Sequence, residues 1–175
     1  MSMEDLKAKI RVIPDFPKPG ISFKDITTLL ADGPAWAKAI DALAQQCAGL
    51  GADVVVGPEA RGFIVGAALA YRLSLGFVPV RKAGKLPAEC LRGDYQLEYG
   101  KDSLEIHKDA IRPGLKVLVV DDLLATGGTI EASIKMVEKL GGEVVGVAFL
   151  IELTELGGRT RLKKYQVKSL IEYPY

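Results

Sequence analysis

Three features of this sequence predict an α/β fold: one doubly wound domain with a mainly parallel central sheet flanked by helices. The first is Val117-Leu118-Val119-Val120, an apolar run of the kind that forms a strand buried on both faces. It is followed by Asp121-Asp122, a Thr126-Gly127-Gly128-Thr129 turn, and then Ile130, Ile134, Val137 and Leu140 at helical spacing. The second is a repeat of that pattern, in which Val54 to Val56 runs through Gly57-Pro58-Glu59-Ala60-Arg61-Gly62 into an apolar helix. The third is Val144 to Ile151, another continuous apolar strand. Strands alternating with helices through short turns build a parallel sheet with right-handed crossovers.

A length of 175 residues suits one domain with a core of its own, and 49% hydrophobic with 26% charged residues is ordinary for a globular protein. Lys plus Arg is 23 and Asp plus Glu is 22, so a net charge of +1 gives no bulk attraction to nucleic acid or to a membrane. Any anion site must therefore be local. Cys47 falls on an apolar helical face as a reduced core thiol, Cys90 lies in a polar loop, and the single His107 excludes most zinc constellations. The first ten residues lack a leader's apolar run, and no stretch of 18 apolar residues occurs, so the expected location is cytoplasmic.

In chain order, Met3, Leu6, Ile10 and Ile13 keep helical spacing and predict a helix over residues 3–13, stopped by Pro14. Asp15 to Ile26 holds two prolines and a glycine, a stiff loop that presents backbone groups. Residues 34–48 predict a second helix with Trp36, Ile40, Leu43 and Cys47 on one face. The segment from Phe63 to Leu73 is almost wholly apolar and is expected to be buried, with Gly62 and Gly66 allowing close packing on the sheet. Phe77 to Val80 is a strand. The 31 residues from Arg81 to Ile111 contain no convincing buried element, and alternation in Tyr95 to Tyr99 and Leu104 to His107 suggests a two-stranded flap. Val167 to Ile171 is the last strand.

Ligands of open α/β sheets sit beyond the carboxyl ends of the strands, which makes the Ala125 to Thr129 turn a candidate site. Two glycines, two threonine hydroxyls and a helix N-terminus suit a phosphate. Asp121 and Asp122 suit ribose hydroxyls or Mg²⁺. Arg61, in the parallel turn, suits a pyrophosphate. The turn is neither a Walker A loop nor GxGxxG. A bland strand-turn-helix remains the alternative on these residues alone.

The string Asp121-Asp122-Leu-Leu-Ala125-Thr126-Gly127-Gly128-Thr129 resembles the phosphoribosyl pyrophosphate motif of type I phosphoribosyltransferases. Over nearly the full length the chain is similar to the adenine phosphoribosyltransferases. The matching pieces are Phe16-Pro-Lys-Pro-Gly20, Phe23-Lys24-Asp25-Ile26, Arg61-Gly62-Phe63, Arg81-Lys82 with Gly84-Lys85-Leu86-Pro87, Leu97-Glu98-Tyr99-Gly100 and Glu152-Leu153-Thr154. The resemblance implies a single domain over residues 1–175, with an N-terminal hood at about 1–33 and a flexible β-flap at about 81–111. It also implies transfer of the 5-phosphoribosyl group from phosphoribosyl pyrophosphate to adenine, giving AMP and pyrophosphate, in a cytoplasmic homodimer. By the same resemblance, Ala125, Thr126, Gly127, Gly128 and Thr129 hold the 5-phosphate, and Asp121 and Asp122 hold the ribose. Glu59, Ala60, Arg61, Lys82 and Lys85 serve pyrophosphate, and Arg81 often reaches a neighbouring subunit's site. Ser22, Phe23, Lys24 and Leu153 meet adenine, Glu98 is the acid–base group, and Mg²⁺ enters through the substrate's pyrophosphate and ribose, with Asp121 or Asp122 as candidate protein ligands. Relatives often carry Arg at the position of Lys24, an aliphatic residue at Ser22 and Asp at Glu59. The rival readings are a transferase for hypoxanthine, guanine or xanthine, and a non-catalytic sensor of phosphoribosyl pyrophosphate on the same fold.

Overall fold

A computed structural model describes residues 2–96 and 101–175. It begins with α1 (Met3–Ala8), β1 (Arg11–Ile13), β2 (Phe23–Asp25), α2 (Thr27–Leu30) and α3 (Gly33–Cys47). Then follow β3 (Val54–Pro58), α4 (Arg61–Arg72), β4 (Gly76–Lys82), β5 (Cys90–Gln96) and β6 (Lys101–His107). The chain closes with β7 (Lys116–Leu124), α5 (Gly128–Lys139), β8 (Glu143–Leu153), α6 (Gly158–Arg161) and β9 (Val167–Tyr173). Seven strands form one sheet in the order β5-β6-β4-β3-β7-β8-β9, parallel from β4 through β9, with β6 and β5 antiparallel at one edge.

Period-two alternation along the strands feeds two cores. Val55, Leu118, Val120 and Leu150 face Leu6, Leu43, Val65 and Leu69 of α1, α3 and α4. On the opposite face, Val56, Val119 and Phe149 pack with Ile130, Ile134 and Val137 of α5. This is the doubly wound arrangement that the sequence predicts. Gly66 lies against the sheet so closely that a Cβ there would sit 2.6 Å from Phe77 Cε2. Gly66→Val is therefore expected to destabilise the fold by about 1–2 kcal/mol. Overpacking costs roughly 1–3 kcal/mol, and a better helix residue returns roughly half a kcal/mol. Urea unfolding checks this, and an unchanged midpoint would show that Phe77 yields freely.

Three expectations need correction. The predicted helix over 3–13 ends at Ala8, because Arg11–Ile13 pairs with Phe23–Asp25 instead. Arg11 reaches the Asp25 carboxylate at 2.6 Å, and Thr28 Oγ1 donates to the Lys9 carbonyl at 2.6 Å. One extra helical turn has no such long-range partners, and short helices depend on packing. Ile10 is buried either way, so its spacing could not discriminate. The stretch from Arg81 to Ile111 does contain buried structure. Leu104, Ile106 and Ile111 are in the core, and β6 is hydrogen-bonded to β4, with Lys82 opposite Leu104. Lastly, α4 is not buried all round. Ile64 is 43% and Tyr71 88% exposed, one above the other on its outer face.

Candidate functional site

The carboxyl ends of β3, β7 and β8 lie side by side, and their exit loops surround a cavity of about 520 Å³. One wall is the hood, Ile21 to Lys24, which enters through β2. Facing it are Leu153 at the end of β8 and Leu156 just beyond. The floor is the exit of β7, with Asp122, Leu123, Ala125 and Thr126, followed by Gly128 and Thr129 of α5. Arg61, Tyr95 and Tyr175 complete the rim.

The floor follows from local chemistry. Gly127 has φ +84°, a left-handed conformation that L side chains rarely adopt, and from it α5 starts at once. The Glu131 N–H is bonded to the Gly127 carbonyl, while the first-turn N–H groups before it have no partner within the helix. These donors and the positive end of the helix dipole are aimed at an anion.

The acidic pair is asymmetric. Asp122 is 7% exposed, and its Oδ2 accepts from Arg61 Nε at 2.6 Å. Asp121 Oδ1 accepts from the Asp122 N–H at 2.8 Å. Burial, and then the like charge of Asp122, push the Asp121 carboxyl well above the usual carboxylate range. The Asp122 carboxylate lines the cavity as a hydrogen-bond acceptor, which suits sugar hydroxyls. Arg61 lies 5.6 Å from the Phe23 ring centroid, so phosphate-side and hood-side residues meet at this guanidinium.

The hood is held from behind. Phe23 packs edge-on against Phe16 at 5.2 Å. Lys24 is buried, donates to Ser22 Oγ at 2.6 Å and to the Ser22 carbonyl at 3.2 Å, and burial lowers its pKa. Asp25, next in line, accepts from the Thr27 N–H at 2.9 Å, the Thr27 hydroxyl and Arg11, which together hold its pKa down at about 2. A carboxyl with a folded pKa depressed from 3.8 contributes stability above that value and loses it as pH falls toward about 2. Asp25→Asn is expected to flatten the loss of stability between about pH 4 and about pH 2. Parallel acid unfolding curves for the variant and the parent would contradict this.

Of the sequence candidates, Ser22, Phe23, Lys24, Arg61, Asp122, Ala125, Thr126, Gly128, Thr129 and Leu153 line one cavity. Asp121 and Gly127 do not line it, and Asp121 Oδ1 is turned toward Gly62, where an added Cβ would lie 2.7 Å from it. Glu59 is turned to internal work, since its Oε1 accepts from Arg81 Nε at 3.2 Å and from the Lys82 N–H at 2.8 Å. The Glu59–Ala60 peptide is cis and leads directly into Arg61. Lys82 Nζ lies 3.4 Å from Asp102, and Lys85 is exposed in the following turn, so neither lines the cavity. Glu98 and its neighbours Leu97, Tyr99 and Gly100 fall outside the described residues. Among the described residues no group of three or more His, Cys, Asp or Glu side chains is placed to hold a metal. Cys47 is buried, and burial raises its pKa to about 11, as befits an inert core thiol.

Sequence reasoning missed Tyr95, Leu123, Leu156 and Tyr175. Leu156 carried a usable signal, since it is the next apolar residue after a strand that ends on the ligand side. Tyr175 carried none, because its hydroxyl meets the Gly20 carbonyl (3.4 Å) only through the tertiary fold.

The family model for the phosphoribosyl transferase domain matches residues 27–174. An adenine phosphoribosyltransferase of Clostridium perfringens is 64% identical over 168 residues, covering 96% of this chain and 98% of the relative. The crystal structure of adenine phosphoribosyltransferase from Thermoanaerobacter pseudethanolicus superposes with a TM-score of 0.96 at 59% identity, over 98% of this chain and 100% of that one. The Saccharomyces cerevisiae enzyme, solved with adenine and an imino-altritol bisphosphate, gives 0.90 at 41% identity over 96% and 97% of the two chains. With its family domain, its relatives and its cavity in agreement, this chain belongs to the adenine phosphoribosyltransferases, a family of purine salvage pentosyltransferases.

Proposed function

We propose that the enzyme transfers the 5-phosphoribosyl group of phosphoribosyl pyrophosphate to N9 of adenine, with AMP and pyrophosphate as products, and that the cavity residues divide this work between two half-sites. The observation that carries this reading is one cavity lined both by a helix start suited to an anion, at Gly128 and Thr129, and by the apolar side chains of Phe23 and Leu153. The yeast relative's adenine and bisphosphate are ligands of the kinds those two ends suit.

In this reading the Ala125 to Thr129 loop takes the 5-phosphate, while Asp121 and Asp122 serve the ribose hydroxyls. Arg61 exchanges Asp122 for the pyrophosphate, and the exposed Lys82 and Lys85 approach the same group. Glu59 holds the base of that loop, keeping Arg81 and the Lys82 backbone in place beside Ala60. As the bond from C1′ to pyrophosphate breaks and the bond to N9 forms, adenine loses its N9 proton. Glu98 serves as the group that handles that proton. Mg²⁺ would arrive with the oxygens of pyrophosphate and ribose, and Asp121 or Asp122 would be the carboxylate near enough to help hold it. When bound, Mg²⁺ neutralises charge on the leaving group.

Phosphoribosyl pyrophosphate with a panel of purine bases tests the assignment by ultraviolet absorbance. Adenine should exceed hypoxanthine, guanine and xanthine by at least about 100-fold in kcat/KM, the scale set by mismatched polar groups in a base pocket. Preference for a 6-oxopurine would replace adenine as substrate, and no turnover with any base would favour the sensor reading. A homodimer agrees with the exposed Ile64 and Tyr71 on α4, and a two-chain mass by light scattering is expected. Among the described residues no helix is long and apolar enough to cross a membrane. From the likeness to adenine phosphoribosyltransferases, the location we propose is the cytoplasm.

A further inference from the structure

We propose that the segment Thr154–Arg161 is a brace that sets the distance between the base wall and the phosphate loop, with Arg159 as its positioning residue. The inference rests on the assignment of the two half-sites above. One end of the segment belongs to the base side, since Leu153 and Leu156 line the cavity opposite the hood. The other end touches the phosphate loop backbone directly. A Cβ at Gly158 would collide with the Ala125 carbonyl oxygen and lie 2.6 Å from Leu124 Cδ1. A Cβ at Gly127 would meet Arg161 Cδ at 3.4 Å and Gly158 Cα at 3.5 Å. Arg161 Nη1 also reaches Glu131, in the first turn of α5, at 3.2 Å. Between these ends the chain covers only a few residues.

The brace is bolted to the sheet by one side chain. Arg159 Nε and Nη2 donate to the two carboxylate oxygens of Glu152 at 2.9 and 2.5 Å. Arg159 Nη2 also reaches Ser169 Oγ at 2.7 Å, and Nη1 reaches the Val167 carbonyl at 3.3 Å. The Ser169 hydroxyl bonds to Glu152 as well. Glu152 is 3% exposed and immediately precedes Leu153, so the fork locks the base wall to β9. A planar bidentate pair is stiff in direction as well as in length. Stiffness between the half-sites matters because N9 and C1′ must be held at bonding approach, and a misplacement of about 1 Å costs up to about 10²-fold in rate.

The test compares a ligand that spans both half-sites with ligands that fill one. In Arg159→Lys, calorimetry is expected to show AMP binding weakened about tenfold, with adenine alone and ribose 5-phosphate alone each within about twofold, and kcat lowered about tenfold. Ser169→Ala, which removes one hydroxyl from the network, should show the same pattern at about threefold and decides the matter if Arg159→Lys does not fold. A loss for AMP no larger than the combined losses for the two fragments, in whichever variant folds, would overturn the brace. Failure of the parent protein to make AMP from adenine and phosphoribosyl pyrophosphate would instead overturn the functional assignment.

Discussion

Glu98→Gln is expected to cut turnover by about 10²- to 10⁴-fold with adenine and phosphoribosyl pyrophosphate affinities nearly unchanged, the usual size of a lost general acid–base group. The described part of the cavity offers little to share that task. Asp122 is the carboxylate among the described lining residues, and Arg61 holds it on the phosphate side. Asp121 sits beneath the lining, where burial and the charge of its neighbour push its carboxyl well above the usual carboxylate range. Neither is free to take a proton from a purine bound between Phe23 and Leu153. The hood side offers Ser22 and Lys24, which are bonded to each other. Single-turnover measurements with Glu98→Gln separate chemistry from product release. A variant with near-normal turnover would remove Glu98 from the mechanism.

Asp122→Asn is expected to weaken phosphoribosyl pyrophosphate binding by about 10- to 100-fold, since a hydrogen bond to a charged group contributes roughly 1.5–3 kcal/mol. The fold should tolerate the change. The arginine left behind has a side chain 48% exposed, so water replaces its partner at little cost. A second readout belongs to this pair alone. Loss of the Asp122 charge removes a cause of the raised Asp121 pKa, so Asp121 should titrate closer to the ordinary carboxylate range in the variant. Unchanged binding by calorimetry would contradict the ribose assignment, and an unmoved Asp121 titration would show that burial alone sets its pKa.

Much of the site was legible because its residues sit on elements that follow local rules. Val117 to Val120 could only be a buried strand, and the Gly-Gly turn after two aspartates could only begin a helix at the sheet's ligand end. Arg61 follows from the same strand-turn-helix logic one unit earlier. Phe23 and Leu153 were singled out through family resemblance, because nothing in either residue distinguishes a ligand wall from core packing until both are seen to line one cavity.

The sequence by itself determined the doubly wound sheet, the Gly-Gly turn that opens a helix and the adjacent acid pair, since each depends on the periodicity or conformational range of adjacent residues. Only the tertiary structure decided that Arg11–Ile13 is a strand, that β6 is core, that the Asp121 carboxyl is pushed well above the usual carboxylate range, and that Arg159 bolts Glu152 beside Leu153. Those outcomes depend on residues that meet only across the fold. Pairing partners, local dielectric and the reach of a long side chain are properties of the assembled molecule, and no window of neighbouring residues contains them.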